Sequence, residues 1–375
     1  MKKQQLFFRV VMSILLILNC AVLQANDKSA NYQLELVHSG LTVPWGMALI
    51  DESKMLITQR SGSLLQLDLK TGLTTEIGGL PKIATIGQGG LLDIKLSPDF
   101  DKSGWLYFTY AKPVKNSAAT TLARAKLINN RLSEWKDLLI TKSVSTGGRH
   151  FGSRIAFDYD GHVFFSIGDR GDRDNGQNKM THAATIVRLN LDGSIPKDNP
   201  FVDDDNALDE IWSFGHRNPQ GLAFDKKTGR LWAIEHGPRG GDEINLIIKG
   251  KNYGWPVISY GKEYWGPFDV GEGTHKEGME QPVKYYVPSI APGSLLVYNG
   301  KAFPDWQGNL FAGALVLTHL NRVEIDNNGK AVGEERLFES LGKRVRNVIA
   351  DSNGYIYFST DSGDLYRLMP KALSN

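Results

Sequence analysis

His150, Asp169, Arg217 with Asn218, Gln88, and the arginine pair Arg344 and Arg346 are the residues of this chain whose types could do chemistry. They interrupt short apolar or glycine-rich segments: Gln88 in GQGGLL, His150 in GGRHFGSR, Asp169 in SIGDRGD, Arg217-Asn218 in FGHRNPQG, and the two arginines in KRVRNV. Gly237-Pro238, in EHGPRGGDEIN, completes the set. A histidine can take and return a proton near neutral pH. An arginine supplies a planar cation that keeps its charge. Taken singly, each has a plainer reading. Asp169 could make a turn, and His150 could be a turn histidine beside Gly147-Gly148. Spacing of i, i+2 could leave Arg344 and Arg346 on the solvated face of a strand. Other chemistry-bearing patterns are missing. The chain has no CxxC, no HExxH and no phosphate loop, and Gly147-Gly148 and Gly240-Gly241 are too isolated for a dinucleotide site, which would also need a βαβ context.

The segments that must position these residues repeat. A short apolar strand ends in a turn rich in Asp, Gly, Asn or Pro, and a strand dense in aromatic and β-branched residues follows. The copies are GMALIDESKMLITQ from Gly46, LLDIKLSPDFDKSGWLYFTY from Leu91, RIAFDYDGHVFFSIGD from Arg154 and GLAFDKKTGRLWAIEHG from Gly221. A degenerate copy, SLLVYNGKAFPDWQGNLFAGAL, starts at Ser294, and VIADSNGYIYFSTDSGDLYRL starts at Val348. Six copies spaced roughly 45–75 residues apart are close to the interval of propeller blades. One small sheet cannot bury both faces, but six packed around an axis can, and only short edges remain. The expected fold is all-β, a six-bladed β-propeller of four-stranded antiparallel sheets. A pair of β-sandwiches is the alternative, and six copies fit a ring better. No helical periodicity of useful length is present. Residues 170–212 and 251–290 are expected to be loops on one face, where function usually sits.

The amino terminus carries Lys2, Lys3 and Arg9, then an apolar run from Val10 to Leu23, with Ala21 and Ala25 spaced for signal-peptidase cleavage. Residues 1–25 are therefore expected to be a signal peptide and 26–375 a single propeller domain, periplasmic or secreted. The apolar run is short for a membrane span, which needs ~20 residues, so no span is expected in the mature chain. Removing three basic residues takes 43 Lys and Arg to 40 against 41 Asp and Glu, a mature net charge of −1. That balance does not suggest a nucleic-acid partner. The one cysteine, Cys20, leaves with the signal, so no disulfide stabilises the mature chain.

GHRNPQGLAF, HGPRGGDEIN and KNYGWP occur in that order. Together with the positions above they resemble the soluble pyrroloquinoline quinone (PQQ)-dependent glucose and aldose sugar dehydrogenases, from about Val43 to the end of the last copy. The resemblance implies a six-bladed propeller, with PQQ and Ca2+ as cofactors, an aldose sugar as substrate and an external electron acceptor. It implies that His150 is the general base for the anomeric hydroxyl and that Asp169 orients it. Arg217 would be the cation beside the quinone carbonyl, Asn218 and Gln88 polar contacts, and Arg344 and Arg346 the partners of the cofactor's carboxylates. Backbone carbonyls of Gly237 and Pro238 would bind the cofactor's calcium, a hard ion that takes carbonyl oxygens readily. Glu243, with the carbonyls of Tyr253 and Tyr264, resembles a second, structural calcium site; Glu243 could equally be a surface acid in a turn.

Two positions depart from the family. A lysine usually follows the Gly-Ala-Leu stretch of the fifth blade, and here Gly313-Ala314-Leu315 is followed by Val316. Arg322 is displaced by several residues, which leaves Thr318 and His319 as possible substitutes. Val287 stands where glucose-oxidising relatives place a tryptophan over the sugar, which implies looser sugar specificity. Two other functions compete. A calcium-dependent propeller lactonase would need several side-chain carboxylates on a channel metal, and a non-catalytic propeller binding a carbohydrate or a partner would have no use for His150, Asp169 and Arg217 together.

Overall fold

The computed structural model describes residues 31–371; the expected signal peptide lies outside the described residues. Six four-stranded antiparallel sheets form. The sheet of blade 1 has strands Pro44–Leu49, Lys54–Gln59, Ser63–Asp68 and Thr74–Glu76, and that of blade 2 has Leu91–Leu96, Trp105–Val114, Ser117–Ile128 and Arg131–Ile140. Blade 3 has Ile155–Phe157, His162–Ile167, Thr185–Asn190 and Ile211–Phe214, and blade 4 has Pro219–Asp225, Arg230–Glu235, Asp242–Ile247 and Lys284–Tyr286. Blade 5 has Pro292–Val297, Leu310–Ala314, Leu320–Ile325 and Ala331–Leu337. Blade 6 has Val345–Ala350, Ile356–Thr360 and Leu365–Pro370, and its outermost strand is the N-terminal Tyr32–His38. That strand closes the ring by pairing with Leu365–Pro370, where Glu35 faces Arg367 and accepts from its guanidinium.

Each copy of the sequence repeat covers the first and second strands of one blade, and the last runs on into the third strand, Leu365–Pro370. Asp residues shape the turns between them: Asp51, Asp158 and Asp225 each accept from the backbone N–H two residues on, at 2.7, 2.9 and 3.0 Å. Such side-chain bonds replace backbone pairing and favour a tight turn. The long segments are less loop-like than expected. Residues 170–212 contain the strand Thr185–Asn190 and the start of Ile211–Phe214, and 251–290 contain Lys284–Tyr286. These strands carry polar residues or are three or four residues long, so their alternation is weak.

The core lies between blades. The apolar face of one sheet meets that of the next: Leu56 and Leu64 with Leu91 and Phe108, Tyr107 with Ile155 and Phe165, and Phe164 with Leu222 and Leu231. Trp232 and Ile234 meet Leu295 and Leu310, Phe311 meets Phe358, and Tyr357 meets Met47 and Ile57. A cluster at each of the six junctions gives the ring its stability without a disulfide, at about 1.5–3 kcal/mol for each large side chain fully buried. Among the described residues the helices are one four-residue α-turn, Phe100–Ser103, and three short 3-10 turns; no described helix is long and apolar enough to cross a membrane.

Candidate active site

The first strands of the blades run side by side around the axis. Most of the chemically capable residues lie at or just before the starts of these strands, and Asp169 and Gly237-Pro238 follow the ends of the antiparallel second strands, so all are gathered at one mouth of the ring. Gln88 precedes Leu91–Leu96, His150 precedes Ile155–Phe157, and Arg217-Asn218 precede Pro219–Asp225. Arg344 and Arg346 flank the start of Val345–Ala350.

His150 is held with its side chain 12% exposed. Its backbone is in the left-handed region at φ 55, uncommon for a residue with a side chain. Gln88 Oε1 accepts from the His150 N–H at 2.7 Å and fixes that turn. The ring Nδ1–H donates to Asp169 Oδ1 at 2.5 Å. This leaves Nε2 as the lone-pair nitrogen, and it has no partner among the described residues. Asp169 is fixed in turn by Trp255 Nε1–H (2.9 Å) and the Gly171 N–H (2.7 Å), and its own N–H donates to the Arg217 carbonyl at 2.8 Å. Gly168 is required beside it: a Cβ there would lie 2.5 Å from the His150 carbonyl and 2.7 Å from Asn218 Oδ1. Burial pushes the His150 pKa below 6.5, against the upward pull of Asp169, and Arg217 and Arg149 lower it further. The imidazole is therefore neutral near pH 7, as a base must be.

Arg217 is buried. Its Nη1 donates to the carbonyls of His236 (3.1 Å) and Gly237 (2.5 Å). Its Nε–H is buried without a partner, and Trp255 flanks the guanidinium at 5.3 Å from the ring centroid. Asn218 is turned to the scaffold, with Oδ1 accepting from the Gly152 N–H at 3.2 Å. His236 lies beside Arg217, its Nε2–H donating to the Pro292 carbonyl at 2.6 Å; burial holds its pKa down at about 3, so it stays neutral.

Gly237 and Pro238 are buried on the adjoining turn, where Asp242 Oδ1 accepts from the Gly237 N–H at 2.9 Å. Gly237, Glu243, Tyr253, Trp255 and Arg217 line one cavity of ≈ 20 Å³, room for about one water or ion. Burial and the neighbouring Glu235 push the Glu243 carboxyl up to about 8. Its side chain accepts from Asn245 Nδ2, at 3.3 Å. Among the described residues no hydrogen bond reaches the carbonyls of Pro238 or Tyr253, and no three His, Cys, Asp or Glu side chains converge to hold a metal. A buried carboxyl that would ionise on a cation, beside free carbonyls, is a donor set that suits a hard ion. Tyr264 is not brought to this cavity; it is exposed on the 260–270 arm.

Arg344 and Arg346 converge on one acid. Arg346 binds Asp361 through both carboxylate oxygens, at 2.8 and 2.9 Å, and Arg344 Nε donates to Asp361 Oδ2 at 3.0 Å. Burial works against ionising Asp361, but the two arginines hold its pKa below the usual carboxylate range. The Nη1 of Arg344 also reaches the Leu315 carbonyl at 2.8 Å. That carbonyl adjoins the exposed Val316. Both nitrogens of His319 are engaged, with the Leu317 carbonyl and Asn321 Nδ2. Val287 is exposed and packs towards Gly240. Sequence reading did not single out Trp255, Glu235 or Asp361. Trp255 stood in view within KNYGWP, whereas Asp361 looks like any turn acid in TDSGD.

A six-bladed ring whose mouth gathers a histidine–carboxylate pair and a cluster of arginines is the scaffold of a sugar-dehydrogenase class of propellers. Residues 41–367 match the Glucose / Sorbosone dehydrogenase family, and the chain belongs to that family of oxidoreductases. It is 39% identical over 352 residues to aldose sugar dehydrogenase YliI of Escherichia coli (strain K12), covering 91% of this chain and 94% of that protein. It is 28% identical over 422 residues to quinoprotein glucose dehydrogenase B of Acinetobacter calcoaceticus, covering 90% and 87%. The apo crystal structure of the soluble aldose sugar dehydrogenase from Escherichia coli superposes with a TM-score of 0.87 at 36% identity, over 91% of this chain and 100% of that one. The PQQ-bound aldose sugar dehydrogenase of Streptomyces coelicolor gives 0.75 at 25% identity, over 91% and 99%.

Proposed function

We propose that this chain is a PQQ- and calcium-dependent dehydrogenase that oxidises aldose sugars at the anomeric carbon to lactones. The observation that carries the reading is His150, fixed by Asp169 with Nε2 free, in one mouth with the buried and partly unpartnered Arg217. The residues present fit the cofactor. Arg344 and Arg346 would hold its carboxylates, Arg217 and Asn218 would adjoin the quinone, and Gly237 and Pro238 would offer carbonyls to its calcium. Glu243 and the Tyr253 carbonyl would serve a second calcium, to which Tyr264 has no evident approach. When bound, PQQ supplies the two-electron acceptor for the hydride of the sugar C1.

The protein's own work is then proton transfer and positioning. His150 Nε2 accepts the proton of the anomeric hydroxyl as the C1–H bond breaks and the C1–O bond becomes a carbonyl. The Nδ1–H bond to Asp169 keeps Nε2 as the base and stabilises the imidazolium that forms. The fixed charge of Arg217 stabilises negative charge as it develops in the mouth. A lactonase would need carboxylates converging on a metal in the channel, yet the axis is occupied by the Arg154 cation. The family's sugar chemistry and the N-terminal sequence support a periplasmic or secreted enzyme that passes electrons to an unidentified acceptor.

Purified apo-protein is expected to be inactive and to regain sugar-dependent dye reduction only when PQQ and calcium are both supplied. A chelator added before reconstitution should block recovery, because Gly237 and Pro238 offer only neutral carbonyls. Full recovery with PQQ in metal-free buffer would contradict the calcium assignment.

A further inference from the structure

We propose that Arg154 is a positioning residue: one guanidinium on the propeller axis that sets the innermost strands of all six blades, and with them the active-site segments of blades 2, 3, 4 and 6, relative to one another. The proposal rests on the functional reading above. Arg154 precedes the first strand of blade 3 and is buried. Its Nη1 donates to the Trp45 carbonyl of blade 1 and to Asp93 Oδ1 of blade 2, both at 3.1 Å. Its Nε donates to the Gln220 carbonyl of blade 4 at 2.9 Å. Its Nη2 donates to the carbonyls of Gly293 in blade 5 (2.5 Å) and Arg346 in blade 6 (3.2 Å). A guanidinium has five N–H donors in a fixed plane, and here all five are used, on the five other blades. The Trp45 ring covers it at 3.8 Å.

The acceptors explain why such a residue is useful. The innermost strand of each blade has no further strand to pair with, so carbonyls of its inner edge face the axis. Buried carbonyls need donors, and a single planar cation serves four of them together with one carboxylate. Asp93 completes the clasp, since its Oδ2 accepts from the Ile155 N–H at 3.0 Å. No other residue type offers this geometry: a lysine has three donors and no fork.

Arg154 itself and three of its five contacts also lie near a functional residue. Arg154 follows His150 by four positions, Gln220 follows Asn218 by two, Asp93 follows Gln88 by five, and the blade 6 acceptor is the carbonyl of Arg346 itself. The base, the quinone-side cation and the carboxylate-binding arginine therefore share one anchor, although Arg154 touches neither His150 nor the guanidinium of Arg217.

The test uses full-length protein with Arg154→Lys, Arg154→Met and the milder Asp93→Asn, each assayed well below its own unfolding temperature. PQQ affinity at fixed calcium and turnover at saturating PQQ and sugar are measured together. A positioning role predicts that folded Arg154→Lys loses roughly 10- to 100-fold in turnover, the scale of small misplacements at a reacting centre, and binds PQQ more weakly. Asp93→Asn should show the same pattern to a smaller degree. If the folded variants unfold at lower temperature yet keep wild-type PQQ affinity and turnover, Arg154 only stabilises and the proposal fails. Hydrogen exchange of the apo-proteins separates this from failure of the cofactor reading. Even if wild type binds no PQQ, loss of the anchor should accelerate exchange at the first strands of several blades at once. Acceleration confined to blade 3 would overturn the proposal.

Discussion

His150→Gln is expected to lower turnover by ~10²–10⁴-fold, the usual scale of general acid–base catalysis, while PQQ binds nearly as in wild type. Among the described residues the imidazole donates only to Asp169, and its other nitrogen has no partner. Glutamine keeps a donor for Asp169 but has no basic nitrogen. The pH dependence follows from the same geometry. Burial sets the histidine pKa below 6.5, and the neutral ring is the active form. The rate should therefore be level through neutrality and fall in acid, with a midpoint below 6.5 in kcat/KM. Asp169→Asn removes the charge and leaves a weaker acceptor in place of the bond that pulls this pKa upward, so its midpoint should move further into acid as the rate drops. Wild-type turnover in His150→Gln at saturating sugar would remove His150 from the mechanism.

Arg346→Ala should weaken PQQ binding ~10–150-fold, the equivalent of losing one charge-assisted hydrogen bond of ~1.5–3 kcal/mol. Arg346 is buried, and Asp361 accepts from its Nε and Nη2, so the guanidinium is oriented, with Nη1 left over, before any ligand arrives. The resemblance places Val316 where a lysine normally meets the cofactor, and Val316→Lys is expected to tighten binding. The gain should be smaller than the loss in Arg346→Ala, because Arg344 already extends to the Leu315 carbonyl beside that position. Titration of apo-protein with PQQ at fixed calcium, by calorimetry and by recovered activity, measures both. If neither Arg346→Ala nor Arg344→Ala changes the titration, the cofactor assignment is in trouble and a non-catalytic propeller becomes the better reading.

The ring was legible in the sequence because the first two strands of every blade must be apolar on both faces and must turn sharply between them. Those demands write short, nearly continuous apolar runs and Asp-Gly turns into the chain, as at Asp158–Gly161. The outer strands are written more faintly. Thr185–Asn190 lay inside a segment expected to be loop, and the closing strand Tyr32–His38 is specified by backbone pairing with residues more than 300 positions away. The site divides in the same manner. His150, Asp169 and Arg217 sit in motifs with unusual residues, so they could be named. What fixes them could not, because it acts across the ring: Trp255 reaches Asp169 over 86 positions, and Arg154 reaches Arg346 over 192. Arg154 was visible only as the first residue of a repeat. The carbonyls of Gly237 and Pro238 have no side-chain signature, and only the family resemblance pointed to them.

An anaerobic single-turnover experiment separates a quinone-dependent sugar dehydrogenase from a propeller that only binds. Protein reconstituted with PQQ and calcium is mixed with an aldose in the absence of any electron acceptor, and the quinone absorbance and the sugar product are followed together. Reduction of the bound quinone is expected, with one lactone formed per PQQ, at a rate that collapses in His150→Gln. Quinone that stays oxidised while saturating aldoses of several kinds are present, in protein that has bound PQQ and calcium, would contradict the dehydrogenase reading.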